Sequence, residues 1–329
     1  MSNPPQVQIP ARLLADGVSV IGIGVMGAAY TARLSSLGVS VTIFNRTRSK
    51  AAEVARTHSN VTVAPSIADC VRASSILLVA CSPTMEAIAS LCNRLADGEL
   101  VRNKHVVFIV DGGLPQARTM DTVLFEKGGA ASLTNVSLFG AAMNVMEGNG
   151  VMNASGRART EEGVTDLVMP LLRSFATVTY HTGGPETAAL FAMGAHIAWM
   201  PLFYALSHYV AVMKKGGVDS SLALEFFQTV NRTMLEYVPF LQSAFAKGDY
   251  SVYFGSHELI RDIMDSASET CTILDVDQKL TDLMSDYHQR AMRDPELAAK
   301  SWHSVYELID RPSAGRRPLP EQPHPHSEG

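Results

Sequence analysis

The stretch Val18-Ser19-Val20-Ile21-Gly22-Ile23-Gly24-Val25-Met26-Gly27 decides the reading of the first half of the chain. Four residues of strand character run into three glycines spaced G-x-G-x-x-G, and the apolar period then becomes helical. Each glycine has its own task. Gly22 permits a tight turn, Gly24 lets a ligand approach the backbone, and Gly27 lets helix and strand pack closely. The amides that open the helix have no partner within it and face outward as an anion site. With the next strand following at 40–44, the unit predicts a dinucleotide whose pyrophosphate rests on that helix start.

Working outward, apolar runs at 18–23, 40–44, 61–63, 76–80 and 106–110 alternate with helical patterns at 26–37, 48–57, 67–73, 85–95 and 116–127. Several runs are β-branched and continuous, as expected of a parallel sheet covered on both faces. Residues 132–156 read as strand and loop, and 161–175 as a helix. After Gly184 the period is almost purely helical to about Ile309, with breaks at Gly216-Gly217, Gly248-Asp249 and Asp294-Pro295. The expected class is α/β: a doubly wound parallel sheet, a long interdomain helix and an all-helical C-terminal domain. The expected divisions are an extension at 1–16, a nucleotide-binding domain at 17–184, a helical domain at 185–310 and a disordered tail at 311–329. His324 and His326 in that tail are assigned no metal.

Composition bounds the function. Of 329 residues, 47% are apolar and 18% charged, which excludes a largely disordered protein. Lys and Arg number 27 against 32 Asp and Glu, for a net charge of −5; with no basic block, a nucleic-acid partner is not expected. Residues 1–20, with Asn3, Pro4, Pro5, Gln6 and Gln8, lack a secretory apolar core, and a cytoplasmic location is expected. Cys70, Cys81, Cys92 and Cys271 are too scattered for a disulfide framework or a CxxC metal site. Between Glu186 and Lys214 no charged residue occurs, a length that could span a bilayer. His196, Pro201, Tyr204, Ser207, His208 and Tyr209 argue instead for a helix covered within a domain or a dimer, without a membrane.

The end of the second strand selects the dinucleotide. An NAD site places Asp or Glu there for the ribose 2′-hydroxyl. This chain reads Phe44-Asn45-Arg46-Thr47-Arg48-Ser49-Lys50. Asn45 does not repel a 2′-phosphate, Arg46 offers it a fork of donors, Thr47 adds a hydroxyl, and Lys50 lies one helical turn beyond. NADPH is the expected cofactor.

These residues resemble the imine reductases and reductive aminases, within the β-hydroxyacid dehydrogenase superfamily. The matching elements are GIGVMG at 22–27, NRT-x-x-K at 45–50, Gly113-Leu114-Pro115-Gln116-Ala117-Arg118, Lys247-Gly248-Asp249-Tyr250 and Arg261-Asp262-Ile263. The resemblance covers roughly residues 17–310. It implies a Rossmann domain joined by one long helix to a helical domain, and a homodimer with exchanged C-terminal domains. It also implies that Ser82-Pro83-Thr84 and Asp111-Gly112-Gly113 lie in loops beyond two strand ends, on the nicotinamide side of the cofactor. Gly22, Ile23, Gly24, Val25, Met26 and Gly27 would hold the pyrophosphate.

The catalytic positions depart from the family. Where β-hydroxyacid dehydrogenases carry a lysine, the resemblance aligns Phe191; where imine reductases often carry Asp or Tyr, it aligns Met193; a second family position falls on Pro201. Phe139-Gly140-Ala141-Ala142-Met143-Asn144 replaces the loop that holds a hydroxyacid's carboxylate. Alcohol oxidation without that lysine forfeits general-base catalysis typically worth roughly 10²–10⁴-fold, whereas an iminium requires only a positioned hydride. Phe139, Met143, Phe191, Met193, Trp199 and Met200 would wall a hydrophobic pocket. A neutral substrate needs a proton, and His196, Met200 and Tyr204 follow Met193 on one helical face. Tyr204 is placed first and His196 second, with Pro201 expected to kink the helix between them. The expectation is an NADPH-dependent imine or iminium reductase, as in specialised biosynthesis. A carbonyl or activated C=C reductase of the same fold and a non-catalytic NADPH-binding protein are the alternatives.

Overall fold

The computed structural model describes residues 9–310. The expected tail with His324 and His326, and residues 1–8 of the expected extension, lie outside the described residues.

The strands are β1 (Val18–Ile21), β2 (Val41–Phe44), β3 (Val61–Val63), β4 (Ile76–Val79), β5 (His105–Ile109), β6 (Ser132–Phe139), β7 (Gly150–Ala158) and β8 (Ala176–Thr182). They form one sheet in the order β3-β2-β1-β4-β5-β6-β7-β8. Val20 of β1 stands opposite both Ile43 of β2 and Leu78 of β4, in parallel register on each side. The strand order therefore reverses between β1 and β4, and beyond the carboxyl ends at such a point a doubly wound sheet binds its ligand.

Between and before these strands run α1 (Ala11–Asp16), α2 (Val25–Ser36), α3 (Arg48–Arg56), α4 (Ile67–Arg72), α5 (Met85–Ala96), α6 (Leu114–Met120), α7 (Ala142–Glu147), α8 (Glu161–Gly163) and α9 (Met169–Arg173). The α6 helix continues as a π-helical stretch, Asp121–Lys127, and a second one, Val164–Val168, joins α8 to α9. Alternate strand residues feed opposite layers. Val20, Leu78 and Val107 join Tyr30, Leu34 and Phe175 on one face, while Ile21, Leu77 and Phe108 join Cys92, Leu95 and Leu124 on the other. Burial pushes the thiols of Cys70 and Cys92 up to about 12, so both act as apolar filling.

Three features differ from the sequence reading. Residues 142–147, read as strand and loop, are the helix α7; it buries only Val145, too little for a helical period to register. The strand β7 runs antiparallel to β6, and β8 is parallel to β7, so the last two strands oppose the first six. The α1 helix, read as an extension, seats Leu13 in the first core, and Asp16 accepts bonds from the Ser75 amide at 2.7 Å and from its hydroxyl.

The α10 helix spans Glu186–Lys215, 30 residues, with Pro201 inside it. The chain divides into two compact units between Ala198 and Trp199, inside this helix rather than ahead of it. Only Ala188, Ala189 and Ala192 of α10 are buried, so within the single chain the helix is not covered as expected. By length and composition alone it is long and apolar enough to cross a membrane.

The second unit continues with α11 (Ser220–Leu235), α12 (Val238–Lys247), α13 (His257–Ile273), α14 (Lys279–Arg293), a 3₁₀ turn at Trp302–Val305 and α15 (Tyr306–Asp310). Asp219 caps α11 and Ser256 caps α13 by accepting first-turn amides, which fixes where each helix starts. Arg261, in one of the elements that carry the resemblance, pairs along its own helix with Glu258, Asp262 and Asp265.

Three histidines meet where α13, α14 and the 3₁₀ turn pack. His257, His288 and His303 are all buried. His257 Nδ1 lies 3.1 Å from His288 Nδ1, and His257 Nε2 lies 2.9 Å from the Ser304 hydroxyl. Tyr250 and Phe254 cover His303, whose Nδ1 has no hydrogen-bond partner, and the Tyr250 hydroxyl donates to Glu307 at 2.6 Å. Burial, then the two neighbouring imidazoles, lowers His257 to about 4; burial also lowers His288 and His303. Unfolded histidine titrates near ~6.5, so the unfolded chain binds more protons across that window and stability is lost as the pH falls. The melting temperature of the second unit's helices should hold above about pH 6.5 and drop progressively toward about pH 4. In His257→Asn, scanned by circular dichroism, that acid slope should flatten.

Candidate active site

A cleft of about 900 Å³ opens at the carboxyl ends of β1, β2, β4 and β5. Its floor is the turn from β1 into α2, and this turn tolerates no side chain at Gly22 or Gly27. A Cβ on Gly22 (φ +93°) would stand 1.9 Å from the Ala80 carbonyl oxygen, and one on Gly27 would stand 1.8 Å from the Gly22 carbonyl oxygen. Gly24 is different: a Cβ there would meet nothing within 4 Å. Gly24 also caps α2 with no side-chain bond, and the first turn of α2 holds no acidic residue. The outcome is an open concavity lined by Gly22, Gly24, Val25, Met26 and Gly27 at the positive end of a helix dipole. Ile23 does not line it; its side chain is buried in the first core and its amide is engaged elsewhere.

That engagement is with Asn45. Its Oδ1 accepts from the Ile23 amide at 2.9 Å and its Nδ2 donates to the Thr47 carbonyl at 2.9 Å, so one side chain ties the first loop to the second. Beside it, Arg46 and Lys50 line the cleft and are exposed. Among the described residues neither has a carboxylate partner, and the first turn of α3 has no acid. Thr47 does not line the cleft; it is the residue ahead of α3, and its carbonyl serves Asn45 and the Lys50 amide.

The far wall is made by the loops after β4 and β5. Ser82, Pro83 and Thr84 line the cleft, and the Thr84 hydroxyl also caps α5 by accepting the Ala87 amide at 3.3 Å. Gln116 donates to the Pro83 carbonyl at 3.1 Å and so fastens the two loops together. Gly112 packs against Gln116 and is not part of the lining. Asp111 is part of it, and its carboxylate faces His196 of α10, Oδ2 to Nε2 at 3.8 Å. Burial holds the Asp111 carboxyl above its usual range, and His196 acts against that rise. Cys81, Glu86 and Arg94 also line the cleft, and the sequence reading passed over them. Burial pushes Cys81 up to about 11, which keeps its thiol protonated and unreactive.

The expected pocket residues are placed unevenly. Met193 packs against Gly113, one turn ahead of His196. Phe191 stacks on His181 with ring centroids 5.0 Å apart, and His181 Nε2 lies 3.1 Å from the Asn153 side-chain oxygen. His181 and Asn153 were not foreseen, because on adjacent strands they carry no local signal. Phe139 is half-buried at the end of β6, and Met143 on α7 is exposed. Among the described residues no ring contact joins Phe139 to Phe191. Trp199, Met200 and Tyr204 belong to the second unit and are exposed; Trp199 tilts against Phe203. No described residue hydrogen-bonds to the Tyr204 hydroxyl.

Comparison with known proteins agrees with this architecture. By fold, the chain is similar to a reductive aminase from Aspergillus terreus solved with NADPH and ethyl-5-oxohexanoate, at a TM-score of 0.80 and 19% identity, over 89% of this chain and 99% of that one. It is similarly close to a Streptomyces aurantiacus imine reductase, with a TM-score of 0.80 and 19% identity over 90% and 100% of the two chains. An imine reductase from Myxococcus stipitatus solved with NADP⁺ gives 0.77 and 15% over 89% and 99%. In sequence, it is 24% identical over 228 residues to the decarboxylating 6-phosphogluconate dehydrogenase of Lactococcus lactis subsp. lactis (strain IL1403). That alignment covers 65% of this chain and only 43% of the relative. The model of the NAD binding domain of 6-phosphogluconate dehydrogenase matches residues 17–183, just over half of the chain, and the chain belongs to that family.

Proposed function

We propose that this protein is an NADPH-dependent oxidoreductase that reduces the imine or iminium carbon of a hydrophobic substrate. The observation that carries the reading is the open cradle over Gly24, at an uncapped helix start, beside two cations without carboxylate partners. These residues fit a phosphorylated dinucleotide. The free amides at the start of α2 would take the pyrophosphate, and Arg46 with Lys50 would take the 2′-phosphate. The loops Ser82–Thr84 and Asp111–Gly112 would flank the nicotinamide. When bound, NADPH supplies a hydride.

The chain's own residues then orient and exclude. Phe191 and Met193, where relatives of this fold class carry proton-moving groups, offer apolar surface against a substrate and no base for an alcohol. That favours reduction of an already polarised carbon over alcohol oxidation. Reactions of this kind suit specialised biosynthesis.

The site is proposed to be completed in a homodimer with exchanged C-terminal domains. Leu190, Phe191, Ile197, Trp199, Met200, Phe203 and Tyr204 are each at least 44% exposed in the single chain. A contiguous apolar face beyond a few hundred Å² is rare on a monomer, and a second copy is the occupant proposed here.

Arg46→Ala should weaken NADPH binding by roughly 10–100-fold, the loss of about 1.5–3 kcal/mol expected for a charge-assisted bond, with NADH little affected. Fluorescence titration with both cofactors reads this, and an unchanged preference would remove Arg46 from the site. A panel of cyclic imines, ketones and activated alkenes tests the reaction. Faster turnover of ketones or alkenes would move the assignment to a carbonyl or C=C reductase, and binding without turnover to an NADPH-binding protein. Light scattering at micromolar concentration should give the dimer mass; a stable, soluble monomer would contradict the assembly.

A further inference from the structure

We propose that His196 donates the proton to the substrate nitrogen through Nε2, and that Asp111, facing that nitrogen, is its positioning residue. The inference rests on the reductase reading above and deepens it.

The bonding of the ring determines which atom can give a proton. His196 Nδ1 lies 2.7 Å from the Ala192 carbonyl oxygen, one turn back along α10. A carbonyl only accepts, so Nδ1 carries a hydrogen in both charge states of the ring. Nε2 is therefore the nitrogen that gains and loses a proton, and Nε2 faces the Asp111 carboxylate at 3.8 Å. With Nε2 bare, a lone pair confronts an anion; with Nε2 protonated, the two form an ion pair. Imidazole is the side chain suited to exchanging a proton near neutral pH.

The surroundings support a working group rather than a structural one. Both side chains are 42% exposed, so a ligand and solvent reach them, and Asp111 lines the cofactor cleft. Among the described residues Tyr30 of α2 also feels the Asp111 charge: burial and that charge hold its phenol well above its usual range, so it stays neutral. Met193, three residues before His196 on the same face, supplies no proton and packs on Gly113. Tyr204, which the sequence favoured as donor, has no described partner to orient its hydroxyl.

The step balances with one donor. The imine carbon takes a hydride from the reduced nicotinamide, the C=N π pair moves onto nitrogen, and that nitrogen takes the proton from His196 Nε2. The amine product is neutral, the ring is left neutral beside Asp111, and solvent returns its proton. A permanently charged N-alkyl iminium requires no such proton.

The test compares a neutral cyclic imine, above its own pKa, with its N-alkyl iminium in wild type, His196→Gln and Asp111→Asn. In His196→Gln the imine-to-iminium ratio of kcat/KM should fall by roughly 10²–10⁴-fold, the range for losing a general acid. In Asp111→Asn the alkaline limb of the imine profile should move to lower pH, because the ring loses its proton more readily. An NMR titration of the imidazole, assigned by its loss in His196→Gln, should show the same downward move without any turnover. A wild-type ratio in His196→Gln, or an imidazole titrating identically in wild type and Asp111→Asn, would overturn the proposal while the reductase reading stood. A wild-type protein that binds NADPH but reduces neither substrate would overturn that reading and the donor role with it.

Discussion

Everything in the first unit depends on one close approach: the Gly27 backbone against the Gly22 carbonyl, where a Cβ would stand at 1.8 Å. Only with both residues bare can α2 settle onto β1 immediately after leaving it. Settled there, the helix buries Tyr30 and Leu34 in the first core and aims its free amides along the sheet's carboxyl edge. A side chain at either glycine would have to move backbone, since the atoms in the way are the Gly22 carbonyl just after β1 and the Ala80 carbonyl just after β4. Folding and ligand geometry are thus the same constraint. The helix that completes the core is also the one whose start makes the anion site.

Asn45 extends that constraint to selectivity. An acid at the end of β2 could accept from the Ile23 amide, but could not also donate to the Thr47 carbonyl as the amide group does. The asparagine therefore braces the glycine turn and the α3 entry at once, and leaves the cleft edge beside Arg46 and Lys50 without a negative charge. Gln116 does comparable work on the other wall, where its bond to Pro83 couples the loops after β4 and β5. Two neutral amides, each spanning two loops, set the width of the cleft.

These physical roles also explain what was legible in the sequence. Strands β1, β4 and β5 were readable to within a residue or two because both their faces are buried, so they are written as largely apolar runs. The glycine turn and the basic loop were readable because their chemistry is local. The α7 helix and α1 were not, since each buries a single apolar side chain. The reversal at β7 was hidden because strand direction leaves no mark on composition. Thr47 and Ile23 fitted the motif by spacing, but their orientation depends on Asn45, a contact across 22 positions for Ile23. His181 and Asn153 meet only because β7 and β8 pair, at a separation of 28 residues.

The apolar replacements on α10 and the polar pair beside the cleft belong to one electrostatic arrangement. Phe191 and Met193 put no permanent cation on this stretch of α10 to repel a positively charged iminium. What remains is a carboxylate with a single exchangeable proton nearby, on His196. Under the proposed function, a substrate arriving as an iminium would meet Asp111 and require no proton, and one arriving as a neutral imine would take its proton from His196, leaving a negative carboxylate beside a neutral imidazole. A fixed ammonium side chain has no comparable way to reach that charge state, because its proton is held too tightly at neutral pH. A weak, exchangeable cation beside Asp111, rather than a strong, fixed one, is what the proposed reduction of a carbon–nitrogen double bond would ask of this site.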